Sequence, residues 1–231
     1  MKSSEVDALV IDVLGTLVDE PAGITAGIRA FAPSLDEQTV LGLLELWHSS
    51  IDREQRRIVA GDRPYATSRV LDHEAAALVA ERVGIDDPAA ITRLAESAEH
   101  LPPWTDTVAG LAALAERFPL LGLSNASRSH LLELNFHAGL RWHQALSAED
   151  ARTYKPAPAV YELAIAASAV PPQRLLMVAA HAWDLRGAQN VGMRTAYVAR
   201  PVGDPPSATD RFDFHAEDLT DLAGQLAASP D

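Results

Sequence analysis

Ala8-Leu9-Val10-Ile11-Asp12-Val13-Leu14-Gly15-Thr16-Leu17 is an apolar run interrupted by a single acid. Its first part reads as a buried parallel strand, because strands covered on both faces show no polar alternation. Asp12 then falls where that strand ends. Gly15 allows a tight turn, and Thr16 sets a hydroxyl beside it. A carboxylate at the carboxyl end of a buried strand lies where open α/β sheets bind their ligands. An isolated Asp in such a place more often caps a helix or turn. Here three later strand ends also carry polar groups, and that favours a site.

Working outward, the chain changes character after Leu17. Segments 24–31, 36–59, 65–83 and 88–99 show helical periodicity and no strand-like run. Asp36 is placed to cap the second of these. Gly61-Asp62-Arg63-Pro64 and Gly84-Ile85-Asp86-Asp87-Pro88 break the helices. Strand–helix alternation resumes near Leu101. A helix is predicted over 106–118, then a strand over 120–123 ending in Ser124-Asn125, and a helix over 127–138 capped by Ser127. Leu146-Ser147 closes a short strand. Lys155-Pro156 opens a helix reaching residue 168, with Pro156 in its first turn. A strand over 175–180 leads through His181 to Asp184 into a helix stopped by Gly192. A strand over 195–199, a Pro-rich loop over 200–207 and a helix over 218–228 complete the chain.

The predicted class is α/β: a parallel-sheet core with helices on both faces and an inserted all-helical cap. The core takes residues 1–18 and 101–231, and the cap takes 19–100. Right-handed crossovers bring the carboxyl ends of the strands to one edge, where Asp12, Ser124, Asn125, Lys155 and Asp184 meet.

Composition narrows what such an edge does. With 231 residues, 48% of them hydrophobic, the chain is long enough for a packed core. A net charge of -13 argues against a nucleic-acid binder and means that an anionic substrate needs local cations. The chain has no cysteine, which excludes a disulfide scaffold, a thiolate metal site and a cysteine nucleophile. No run has the length of a membrane span, and Met1-Lys2-Ser3-Ser4-Glu5 lacks the apolar stretch of a leader. The expected location is therefore the cytoplasm. The eight histidines form no metal-binding pattern, and no cofactor is expected.

Asp12 has the chemistry of a nucleophile, a metal ligand or a general base. Lys155 keeps such a carboxylate ionised and holds an anionic substrate, although a Lys before Pro is more often a solvated loop charge. Ser124 and Asn125 offer short donors for an anion or a carbonyl oxygen, and equally for helix capping. Asp184 orients Lys155 or a water, or caps the next helix.

Asp12-Val13-Leu14-Gly15-Thr16-Leu17, Leu123-Ser124-Asn125, Tyr154-Lys155-Pro156 and Val178-Ala179-Ala180-His181-Ala182-Trp183-Asp184 together resemble the haloacid dehalogenase superfamily, in its type II branch of L-2-haloacid dehalogenases. The resemblance spans the whole chain, with the helical insert as the family's cap. It implies a Rossmann-like core and a metal-independent hydrolysis of short chloro-, bromo- or fluoroacids. Asp12 then displaces halide from C2 with inversion, and water hydrolyses the resulting ester. Thr16, Ser124 and Lys155 match positions that hold the nucleophile and the substrate carboxylate. Asn125 and Trp183 match the halide side, Tyr161 an active-site tyrosine, and Asp184 the acid tied to the lysine and the hydrolytic water. The implied partner is a small anionic haloacid, with a homodimer through an apolar cap seam as a further expectation.

Three positions depart from the type II pattern. Leu14 stands where a tyrosine is usual. His48, after Trp47, stands where an arginine takes up halide, and it does so only when protonated. His181 replaces an asparagine and could serve as base for the hydrolytic water. Arg53, Arg56 and Arg57 share the helix of His48 and could substitute for it, although a solvated face is the commoner use of such a run. Trp104 and Trp142 read as packing.

Three rivals remain at this level. A Mg²⁺ phosphatase of the superfamily needs an acid where Leu14 stands and a carboxylate where Ala180 stands. A serine esterase would use Ser124 in Gly122-Leu123-Ser124-Asn125-Ala126 with Asp184 and His215, but only one strong strand precedes Ser124. A fold relative could bind a small anion or a partner without turnover, leaving Asp12, Lys155 and Asp184 without a task.

Overall fold

The computed structural model describes residues 5–228. Residues 1–4, which include most of the stretch examined for a leader, lie outside the described residues, as do 229–231.

β1 (Ala8–Ile11) is buried along its whole length, as its unbroken apolar run requires. It pairs in parallel with β2 (Leu120–Ser124) on one side and β4 (Leu175–Ala179) on the other. β3 (Gln144–Ser147), β5 (Arg194–Val198) and β6 (Phe214–Ala216) complete a six-stranded sheet in the order β3-β2-β1-β4-β5-β6, every pairing parallel. The chain runs outward from β1 to β3, then returns to β4 on the other side of β1. Where the order reverses, the loops leaving β1 and β4 diverge and open a crevice at the strands' carboxyl ends.

Four helices separate β1 from β2's leading helix: α1 (Glu20–Phe31), α2 (Glu37–Ala60), α3 (Ser68–Val83) and α4 (Pro88–Ala95), the last continued by a 3-10 turn, Glu96–Glu99. α2 starts where Asp36 accepts from Thr39 N at 2.9 Å, and it stops at Gly61, whose φ of 83° suits a residue without Cβ. Val40, Leu43, Trp47, Ser50, Glu54 and Ile58 are its buried residues, at three- and four-residue spacing. Val40, Leu43 and Trp47 join one continuous apolar cluster with Leu9 and Ile11 of β1, Ile24 and Ile28 of α1 and Val79 of α3. The helices are thus not an isolated bundle. Burying such side chains stabilises the seam by roughly 1.5–3 kcal/mol each.

α5 (Thr107–Ala115), α6 (Arg128–His137), α7 (Pro158–Ser168), α8 (Ala182–Asn190) and α9 (Leu219–Ala228) follow the alternation. Three details differ from the sequence reading. α1 begins four residues early, because Asp19 accepts from Ala22 N and Pro21 fits the first turn. α7 begins at Pro158 and not at Pro156: the N–H groups of Lys155 and Ala157 go to Asn125 Oδ1 and Tyr154 O, which hold 154–157 in a turn. β6 was not foreseen, because three residues show no periodicity; pairing with β5 and burial of Phe214 and Ala216 create it. No helix among the described residues is long and apolar enough to cross a membrane.

Candidate active site

Asp12 follows β1, and its N–H donates to Val178 O at 3.0 Å, extending the ladder with β4 by one residue. Its side chain therefore emerges at the crevice, 4% exposed. The chain then turns sharply. Gly15 has a φ of +75°, and a Cβ there would lie 2.7 Å from His181 Nε2, so both backbone and space require glycine. The turn brings Thr16 back under Asp12. Its hydroxyl donates to Asp12 Oδ2 at 2.6 Å and accepts from Ala180 N at 2.9 Å, tying the ends of β1 and β4 together.

Lys155 reaches the same point from the loop before α7. Its Nζ donates to Asp12 Oδ1 at 2.5 Å, Asp184 Oδ2 at 2.6 Å and Leu123 O at 3.2 Å. An ammonium has three protons, and all three are used. Burial pulls the Lys155 pKa down, but the Asp12 and Asp184 carboxylates outweigh it and hold the ammonium above its ordinary value. Asp184, in the first turn of α8, is fully buried. Burial raises its pKa, Lys155 opposes that rise and Asp12 adds to it. Its other oxygen accepts from Tyr161 OH at 2.7 Å. Burial and the neighbouring Asp184 push the Tyr161 phenol up, so it stays a donor. The cluster is two carboxylates on one ammonium. Asp12 Oδ1 and Oδ2 each keep one lone-pair direction free, and Asp12 lines a cavity of about 420 Å³.

Leu14, His48, Asn125, Lys155, His181 and Trp183 line this cavity. Asn125 links the two parts of the chain: Oδ1 accepts from Lys155 N at 2.9 Å, and Nδ2 donates to Gln55 Oε1 of α2 at 3.2 Å. His181 stacks on Trp183 with ring centroids 5.7 Å apart, and its Nε2 lies 3.2 Å from Leu14 O.

Four expected members do not line the cavity: Thr16 and Asp184 bond to Asp12 and Lys155 within the buried cluster, while Ser124 and Tyr161 bond to neither. Ser124 is fully buried and forms no part of the cavity wall; its hydroxyl accepts from Ala126 N at 3.1 Å and shapes the turn after β2. Tyr161 sits behind Asp184 and not in the wall. A Cβ on Gly187 would come within 2.3 Å of its hydroxyl, so this approach needs glycine too. Arg53 and Arg57 pair with Glu54 and stay outside this cavity; Arg56 pairs with Asp52 and lines an adjoining cavity that shares Gln55, Lys155, Trp183 and Asp204 with it. The serine-hydrolase constellation fails on topology: His215 is on β6 and Ser124 on β2, four strand spacings or roughly 19 Å apart. Asp184 is already held by Lys155 and Tyr161.

Sequence reasoning missed Glu20, Gln55 and Asp204 in the wall. Asp204 Oδ2 accepts from Trp183 N at 3.1 Å, and Ala182 N donates to Asp204 O at 2.8 Å, so the Pro-rich loop closes over the start of α8. Arg200 also went unread. It donates to Thr16 O at 2.8 Å and forms a two-pronged pair with Asp106 at 2.7 and 2.8 Å, bracing the nucleophile turn from behind. An acid within a Pro-rich loop and an acid in a helix's first turn both look like local caps, which hides them.

Asp12 after β1, a lysine bridging it to an acid after β4, and a helical insertion between β1 and β2 define a hydrolase class. The profile of the haloacid dehalogenase-like hydrolases matches residues 6–192, and the chain belongs to that family. Its relatives lie in the type II branch. An (S)-2-haloacid dehalogenase of Pseudomonas putida is 28% identical over 199 residues, 84% of this chain and 86% of that one. A crystallised L-2-haloacid dehalogenase is 33% identical, with a TM-score of 0.88 over 97% of this chain and 100% of its own. A second, described as defluorinating, is 31% identical, with a TM-score of 0.88 over 96% of each chain.

Proposed function

We propose that this chain hydrolyses short 2-haloacids, with Asp12 as nucleophile and no metal ion. Asp12 attacks C2 from the cavity side, and the halide leaves with the carbon–halogen electron pair. Water then attacks the ester carbonyl of Asp12, giving the 2-hydroxyacid, the regenerated carboxylate and one proton. The observation that carries this reading is the Lys155 ammonium set between Asp12 and Asp184 while Asp12 faces the cavity.

Lys155 keeps Asp12 anionic and orients it, and Thr16 fixes the second oxygen. Lys155 also occupies the place between the two carboxylates that a divalent cation would need. Leu14 supplies no proton to a leaving alcohol, and Ala180 supplies no metal ligand, which separates this site from a phosphatase. Asn125, His48 and Trp183 surround the departing halide. His181 activates the hydrolytic water, with Asp184 holding Lys155 in place and Tyr161 holding Asp184. Residues 19–100 act as the cap, since Glu20, His48, Ile51 and Gln55 wall the cavity from α1 and α2. A homodimer belongs to the same reading, with sedimentation as its test.

Halide release from 2-chloropropanoate should survive chelation and vanish in Asp12→Asn. In ¹⁸O-water, a single turnover should place label on Asp12 and leave the hydroxyacid unlabelled. Label in the first-turnover product would mean direct attack of water at C2, and loss of activity on chelation would restore the metal reading.

A further inference from the structure

One polar group of the cavity wall has no task in the reaction above, and a second, His48, has a ring nitrogen with no hydrogen-bond partner in the protein. Glu20 opens α1 and lines the cavity beside Asp12 and Leu14. The cap of α1 is made by Asp19 through Ala22 N, at 3.0 Å, so the helix does not use Glu20. Among the described residues its carboxyl meets no hydrogen-bond donor and no cation at ion-pair distance. His48 lines the cavity from α2, and its Nε2 is buried with no hydrogen-bond partner. Asp12, Lys155 and Asp184 all have theirs.

A plain haloalkanoate gives Glu20 no partner and offers His48 only the departing halide. It brings an anion, which an ionised Glu20 repels, and an alkyl chain, which leaves the carboxyl desolvated. Burial raises the Glu20 pKa, and His48 and His181 oppose that rise. A ligand group that suits this carboxyl in either protonation state must both donate and accept. A hydroxyl does so, and it also serves an imidazole nitrogen of either tautomer. An ammonium suits only the ionised acid.

Resting on the dehalogenase reading, we propose that Glu20, with His48, is a specificity-determining pair that selects 2-haloacids bearing a hydroxyl on the carbon next to C2. The displacement is unchanged: an Asp12 oxygen bonds to C2 as halide leaves with the bonding pair. Hydrolysis then yields a 2,3-dihydroxyacid, halide and one proton.

The test compares 2-chloro-3-hydroxypropanoate with 2-chlorobutanoate, which replaces the hydroxyl by a methyl of similar size. Halide release is followed at neutral pH against an enzyme-free control. The wild type should favour the hydroxyacid by about tenfold or more in kcat/KM, since unpaired site groups penalise the isostere. Glu20→Leu should reverse or erase that ratio, mostly through KM, and Glu20→Gln should keep most of it. Release from both acids with a wild-type ratio near one overturns this inference and leaves the dehalogenase reading standing. An unchanged ratio in Glu20→Leu also overturns it. Release from neither overturns both.

Discussion

Replacing Lys155 by Met removes the ammonium and nearly preserves the volume. The oxygens of Asp12 and Asp184 that share its Nζ, at 2.5 and 2.6 Å, are then left roughly 5 Å or less apart in a buried site. At an effective dielectric constant of about 20, two unit charges at that separation repel by about 3 kcal/mol, on the order of two pKa units. One carboxyl must therefore take up a proton near neutrality. Asp184, whose pKa burial already raises, is the first candidate, and the proton it shares with Asp12 weakens the nucleophile. Removing one partner of a buried ion pair destabilises by about 3–5 kcal/mol. Because the raised carboxyl binds its proton more tightly in the folded state, that penalty shrinks as pH falls. Urea melts of wild type and Lys155→Met should therefore differ more at pH 7 than at pH 5. Mass spectrometry of a denatured single turnover should show no adduct on Asp12 in the variant. Equal gaps at the two pH values, or a normal burst of ester, would refute the electrostatic account of this cluster.

The same ion triad sets an alkaline limit. The Lys155 pKa stands above 10.5, so its stabilising contribution is complete below about that pH and fades as pH rises through the folded value; thermal melts should fall more steeply there in wild type than in Lys155→Met. Tyr161→Phe strips a 2.7 Å donor from Asp184, which should cost about 1–3 kcal/mol of stability. It should also lower kcat and move the acid limb of the pH–rate profile upward while leaving KM nearly unchanged; a KM effect alone would put Tyr161 against substrate. Gly15→Ala forces a Cβ to 2.7 Å from His181 Nε2 at a φ of +75°. Strain of about 1–2 kcal/mol and a displaced imidazole should slow ester hydrolysis, so that the Asp12 ester accumulates; unchanged kinetics would show that the His181 position is not needed.

Local signals were sufficient for most of the fold. β1, β2 and β4 are apolar runs whose burial needs no partner to be read, and α2 has a cap, a stop and a regular apolar stripe within its own residues. β6 has no local signal because three residues hold no period, and the sequence does not distinguish a start of α7 at Pro156 from one at Pro158 because either Pro suits a first helical turn. Within the site, Asp12 directly follows β1, while Thr16 in the next turn, Lys155 in the loop before α7 and Asp184 in the first turn of α8 reach it along the edge where the parallel strands end.

What the residues alone determined, then, is which polar groups sit at the ends of buried strands, because hydrophobic period and turn chemistry are short-range. Tertiary structure decided which of them face the cavity. It turned the Ser124 hydroxyl onto its own backbone, set Tyr161 behind Asp184, and brought Glu20, Gln55 and Asp204 into the wall from three separate elements. Facing is a property of packing between distant segments, since a side chain's direction at such an edge depends on what α1, α2 and the 200–207 loop leave open.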